Sequence, residues 1–132
     1  MAAILLDTTI LIDLLRGRGG AIARLRALHA QADRPYACAI NVEEVERGLR
    51  GEPESTAAAN LFAGLSIVRL GPLPHSRAGA WRRTYAAHGR TLSQADCLVA
   101  AAAVSIGGRL ATGDPKDYPM PEVQVEHWPV GA

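Results

Sequence analysis

The run Ala3-Ile4-Leu5-Leu6 is apolar at consecutive positions and stops abruptly at Asp7. A strand with one wet face alternates polar and apolar residues. A strand that does not alternate is covered on both faces, as in a parallel sheet beneath helices. The segments that follow agree with this. Residues 8–16 carry Ile10, Leu11, Leu14 and Leu15 at helical spacing, the glycine-rich stretch 16–20 breaks the chain, and residues 21–31 resume with Ile22, Leu25 and Leu28. Residues 36–40, 66–70, 109–112 and 123–126 read as further strands, the last on an edge. Residues 41–50, 55–63, 75–88 and 93–106 read as helices. Residues 71–74 read as a turn cluster, and Gly107-Gly108 closes the last helix. Alternating strands and helices predict a doubly wound α/β sheet, in which functional groups gather beyond the carboxyl ends of the strands. A chain of 132 residues without internal repeats is expected to form one domain, residues 1–132.

Composition narrows the function classes. Hydrophobic residues at 48% and charged residues at 20% supply a core and argue against disorder. A net charge of +1 excludes a polycation that coats nucleic acid, so any such contact rests on local charge. Lys116 is the only lysine; Arg16, Arg18, Arg82, Arg83 and Arg90 are candidates for phosphate contact, and solvated helix faces account for them as well. Cys38 and Cys97 have neither disulfide-framework nor metal spacing, which suits a reducing compartment. No run is long enough to span a membrane. The apolar start holds Asp7 and Asp13 and lacks a basic leader, so it does not read as a signal peptide. The expectation is a soluble, cytoplasmic protein. His29, His75, His88 and His127 show no ligand spacing, Trp81, Tyr85 and Trp128 read as packing residues, and Asp13 reads as a surface residue or ion-pair partner.

Four carboxylates stand where strands hand over to helices. Asp7 follows the first strand, Glu44 falls in the first turn after the second, Asp96 opens the helix that begins near Ser93, and Asp114 follows the fourth strand. Helix capping explains each one singly: Asp7 as a cap, Asn41 and Ser93 as caps of box-like motifs, and Asp114 as a cap before Pro115. Taken together they suggest a shared site. Carboxylates at close range repel, and a hard divalent cation such as Mg²⁺ or Mn²⁺ relieves this by taking several oxygen ligands. Such an ion can activate a water against a phosphodiester.

The neighbours of these acids resemble a known family. Ile4-Leu5-Leu6-Asp7-Thr8-Thr9-Ile10-Leu11-Ile12-Asp13 is similar to the opening of PIN-domain ribonucleases of the VapC toxin type. Asn41-Val42-Glu43-Glu44-Val45-Glu46-Arg47-Gly48 resembles the second motif, with Glu44 rather than Glu43 or Glu46 at the matching distance from Gly48. Residues 92–101 resemble the third motif, with Asp96 as its acid. Leu110-Ala111-Thr112-Gly113-Asp114-Pro115-Lys116-Asp117-Tyr118 resembles the fourth. Val45 replaces a common Leu, and Asp114 stands where Asn is frequent.

The resemblance implies a PIN-like three-layer α/β/α fold with a central parallel sheet in the order 3-2-1-4-5. It implies a Mg²⁺- or Mn²⁺-dependent endoribonuclease, the toxin of a type II toxin–antitoxin pair, that hydrolyses RNA. No His pair is placed for a metal-free mechanism, so a metal-activated water attacking in line is expected, with 5′-phosphate and 3′-hydroxyl ends. A VapB-type antitoxin and a homodimer are its expected partners, with no membrane. Carried over by position, Asp7, Glu44, Asp96 and Asp114 are the catalytic and metal-holding residues, supported by Thr9, Thr112 and Asp117. Two alternatives stand beside it. One is a phosphatase of the haloacid dehalogenase type with Asp7 as nucleophile, although Thr9 replaces its usual second Asp. The other is a noncatalytic α/β module that only binds a partner. The apolar surplus on the helices within residues 8–31 is read as a groove for an antitoxin segment or as a dimer seam.

Overall fold

The computed structural model describes residues 1–131; Ala132, the last residue of the expected domain, lies outside them. The strands are β1 (Ala3–Leu6), β2 (Arg34–Cys38), β3 (Ser66–Val68), β4 (Arg109–Thr112) and β5 (Gln124–His127). They form one sheet in the order β3-β2-β1-β4-β5, and every pairing is parallel. The helices are α1 (Thr8–Leu15), α2 (Gly19–Ala30), α3 (Ala39–Arg47), α4 (Gly51–Ala63), α5 (Pro72–Ala87) and α6 (Gln94–Ser105). The expected three-layer α/β/α architecture and strand order are present. No described helix is long and apolar enough to cross a membrane.

β1 lies mid-sheet, and Ile4, Leu5 and Leu6 are all fully buried. Because side chains alternate across a strand, Leu5 enters one core while Ile4 and Leu6 enter the other. The first core holds Ala78 and Trp81 of α5 and the buried stretch from Cys97 to Ala103 of α6. The second takes Ile10 and Leu11 of α1, Leu28 of α2, Val45 of α3 and Ala58 of α4. Each large aliphatic buried this way contributes roughly 1.5–3 kcal/mol. The alanines of α6 leave little side chain between the helix and its neighbours, so it packs close to the sheet.

Two backbone features fix how α6 feeds β4. Gly107, at φ +64°, donates to Val104 and Gly108 donates to Ala103, both at 3.0 Å, which closes the helix in a Schellman turn. Gly108 then runs so close to β1 that a Cβ there would sit 2.5 Å from the Ala3 carbonyl oxygen.

Several sequence expectations need correction. β2 begins at Arg34 rather than Tyr36, with Pro35 inside it. The Arg34 N–H donates to Ala2 on the β1 side, so position 35 turns toward β3, which starts one rung later opposite Tyr36; the proline therefore removes no ladder bond. β2 also ends at Cys38, two residues before the expected Ile40, and α3 starts at Ala39. Asn41 is not its cap; it sits in the first turn and its Oδ1 accepts the Cys38 N–H at 2.9 Å. Residues 71–74 are not a free turn, because Pro72 and Pro74 lie in the first turn of α5, where missing N–H groups go unused. α4 likewise begins at Gly51, ahead of the expected position 55. Asp13 is not a surface residue: it is buried, and its carboxylate accepts the Gly131 N–H at 2.8 Å as the chain returns over α1. The apolar surplus of α1 and α2 is largely absorbed, since Leu14, Leu15 and Leu25 pack against the second core together with Leu61 and Phe62 of α4.

Candidate active site

The parallel strands deliver their carboxyl ends to one edge. Asp7 follows β1 there, and its N–H closes a last rung to the Ala111 carbonyl of β4 at 3.0 Å. Its side chain caps α1, as expected, by accepting the N–H groups of Thr9 at 3.0 Å and Ile10 at 3.3 Å on Oδ1. Thr9 adds its hydroxyl to the same oxygen. Oδ2 accepts the hydroxyls of Thr112 and, at 3.3 Å, of Tyr118. Both oxygens of this buried carboxylate are thus fully hydrogen-bonded. Burial still raises its pKa above the ordinary value, with the Thr112 and Thr9 hydrogen bonds opposing.

The two threonines also fix the following loop. Thr9 Oγ1 accepts the Gly113 N–H, and Thr112 Oγ1 accepts the Asp114 N–H, both at 3.0 Å. Each hydroxyl therefore couples the Asp7 carboxylate to the backbone leaving β4. The Asp114 backbone is held in this way; among the described residues its carboxylate makes no hydrogen bond.

Asp96 sits in the first turn of α6, where Ser93 caps the helix by accepting the Asp96 N–H at 3.0 Å. Its pKa is raised, first by burial and further by the negative charges of Asp117, Glu44 and Asp7, with the Ser93 hydrogen bond opposing. Asp96 is therefore where the fields of the other acids meet.

Glu44 lies in the second turn of α3 rather than the first, because the helix begins two residues earlier than its sequence suggests. It accepts the Thr8 hydroxyl at 2.6 Å, and Thr8 in turn accepts from Asn41 Nδ2 at 3.1 Å. This chain runs from α1 to α3 and sets the position of Glu44.

Thr8, Asn41 and Tyr118 escaped the sequence reading. The spacing signal for Asn41 was present, three residues before Glu44 on one helix face. Tyr118 closed the fourth motif as an aromatic, and only its hydroxyl gives it a place here, 3.3 Å from Asp7 and 3.5 Å from Asp96. Burial and then the charges of Asp7 and Asp96 hold its phenol well above the ordinary tyrosine range, so it stays protonated.

The donor set consists of carboxylate oxygens whose charges oppose one another, which is the chemistry a hard divalent cation fits. Among the described residues, no three Asp, Glu, His or Cys side chains converge tightly enough to enclose an ion as they stand. The histidines are exposed and offer no zinc site. Trp81, Tyr85 and Trp128 are packing residues, as expected: their polar atoms donate to Glu122, the Pro119 carbonyl and Glu126. For the phosphatase alternative, the position of the usual second Asp is filled by Thr9, whose hydroxyl donates to Asp7 and accepts the Gly113 N–H.

Comparison with known proteins adds the following. A family model described as PIN domain matches residues 4–122. No curated protein matches the sequence. Among solved structures, the chain is similar to VapBC2 from Rickettsia felis bound to a promoter DNA fragment, with TM-score 0.84, 19% identity and coverage of 96% of this chain and 98% of that one. It is similar to VapBC-1 from nontypeable Haemophilus influenzae, with TM-score 0.82, 24% identity and coverage of 96% and 98%. A toxin–antitoxin complex from Klebsiella pneumoniae matches with TM-score 0.72 and 27% identity over 91% of this chain and 94% of that one.

Proposed function

The chain belongs to the PIN-domain family, and on that premise we propose that it is a divalent-metal-dependent endoribonuclease of the VapC type, the toxin of a toxin–antitoxin pair. The observation that carries this reading is that Asp7 and Asp96, 89 positions apart, share one tyrosine hydroxyl on one edge of the sheet, 3.3 Å and 3.5 Å from their oxygens. Asp7, Asp96, Glu44 and Asp114 are the residues that would hold Mg²⁺ or Mn²⁺. When bound, the cation supplies positive charge at the scissile phosphate and lowers the pKa of a nearby water.

The chain's own groups do the rest. Thr9 and Thr112 orient Asp7 by donating to its two oxygens, and these hydrogen bonds oppose the upward push of burial on its pKa. Thr8 orients Glu44 by donating its hydroxyl to the carboxylate. Asp117 adds negative charge next to Asp96. Arg82 and Arg90 flank this edge. Arg82 donates to the Leu92 carbonyl at 3.2 Å, just before the α6 cap, and Arg90 donates to the Lys116 carbonyl at 2.6 Å, beside Asp117. Their positive charge offsets the repulsion that an acidic edge exerts on RNA phosphates.

The described relatives bearing VapBC and toxin–antitoxin names support a small antitoxin of the VapB type as partner. The reading includes a homodimer, a cytoplasmic location and one domain over residues 1–132. The deciding experiment is incubation of the purified protein with structured RNA and Mn²⁺, followed by sequencing of the ends. Cleavage that chelator stops, with 5′-phosphate and 3′-hydroxyl ends, is the expected result. Products ending in 2′,3′-cyclic phosphate, or cleavage indifferent to chelator, would overturn it.

A further inference from the structure

Among the described residues, the hydroxyl of Tyr118 is the one member of the acidic site that touches two carboxylates. It lies 3.3 Å from Asp7 Oδ2 and 3.5 Å from Asp96 Oδ1, on a residue only 6% exposed. It carries one proton, which can serve only one of these acceptors at a time.

The other donors to Asp7 differ in kind. The N–H groups of Thr9 and Ile10 belong to the first turn of α1 and cannot leave without unwinding it. The hydroxyls of Thr9 and Thr112 are tied at their far side to the N–H groups of Gly113 and Asp114. Tyr118 has no such second anchor among the hydrogen bonds of the described residues; its ring packs in the core of α5 and α6, and its oxygen reaches both acids. It is the donor that can yield a lone pair of Asp7 Oδ2 at the smallest structural cost.

We propose that Tyr118 is a positioning residue whose hydroxyl, in the ion-free protein, takes up a lone pair of Asp7 Oδ2 that would otherwise be open to a divalent cation, so that hydroxyl and cation would compete. This rests on the reading of the acidic edge as a metal site. A neutral donor shared by a buried carboxylate, Asp7, and a half-buried one, Asp96, lowers the free energy of the ion-free state, as a bound cation would do far more strongly for the loaded one. The hydroxyl therefore weakens cation affinity while holding the two acids ready for it.

The test uses the full chain, Mn²⁺ for calorimetric titration and spectroscopically silent Mg²⁺ for absorbance. Tyr118→Phe should bind Mn²⁺ about tenfold more tightly than wild type, and its chelator-treated form should melt at a lower temperature. In wild type, Mg²⁺ should produce a tyrosine difference band as the phenol loses its carboxylate partner, and Tyr118→Phe should lack that band. Equal or weaker Mn²⁺ binding by Tyr118→Phe, or no tyrosine signal in wild type, would overturn the inference and leave the metal site standing. A wild type that takes up no Mn²⁺ would remove the metal reading, and this inference with it.

Discussion

Thr112 and Asp7, 105 positions apart in the chain, share one buried hydrogen bond: the threonine hydroxyl donates to Oδ2 of the carboxylate. The same hydroxyl accepts the Asp114 N–H at 3.0 Å, so it ties the end of β1 to the loop that leaves β4. Thr112→Val keeps the shape and deletes both bonds in a fully buried setting. It should cost about 1–3 kcal/mol of stability in urea unfolding and lower RNA cleavage roughly 10–100-fold. Thr112→Ser should restore most of both. Valine with wild-type cleavage would show that the hydroxyl does not position Asp7.

Asp7→Asn and Asp96→Asn should each reduce cleavage by roughly 10²–10³-fold, because the negative charge is lost while the shape persists. Their stability should move the other way, with a defined pH dependence. Burial holds both carboxyls above the ordinary 3.8, so the folded protein binds these protons more tightly than the unfolded chain. The resulting stabilisation is full below that ordinary value and is lost as pH rises through the raised folded values. In chelator, each Asn variant should therefore gain stability relative to wild type between strongly acidic and neutral pH. Urea midpoints of wild type and variants across that range provide the check; a difference that does not change with pH would refute it.

Arg82 and Arg90 each use one guanidinium N–H to hold a backbone carbonyl beside the acidic edge. A guanidinium has five donors, so each has others for a phosphate. In chelator, where binding is measured without cleavage, Arg82→Ala and Arg90→Ala should weaken single-stranded RNA binding. Each should also flatten the slope of log affinity against log salt by about 0.7. An unchanged slope would assign these arginines to the loop alone.

Gly108 meets the Ala3 carbonyl where a Cβ would stand 2.5 Å from its oxygen, and that neighbour is backbone that cannot swing aside. Gly108→Ala should destabilise by about 1–3 kcal/mol by forcing β1 and β4 apart at their start. A urea midpoint equal to that of wild type would show that the strands yield more easily than their pairing suggests.

The sequence alone determined the layers. Ile4, Leu5 and Leu6 without alternation suit a strand covered on both sides, and acids at the ends of parallel strands then share one edge, because such strands finish together. Asp7 and Ser93 as caps, and Gly107-Gly108 as a helix stop, were legible because they depend on neighbours within a few residues. The tertiary structure decided the rest. Asn41 read as a cap because its local pattern is cap-like, yet β2 ends at Cys38, which takes the cap position and donates its N–H to Asn41 Oδ1, so α3 starts at Ala39. Asp13 read as exposed because nothing near it in sequence foretells the return of Gly131 over α1. The role of Tyr118 between Asp7 and Asp96 could not be read from its motif, since a hydroxyl acquires two carboxylate partners only when β1, α6 and the turn after β4 meet in space. Local propensity acts over one turn of chain, whereas the electrostatics of this edge depend on distances that only packing sets.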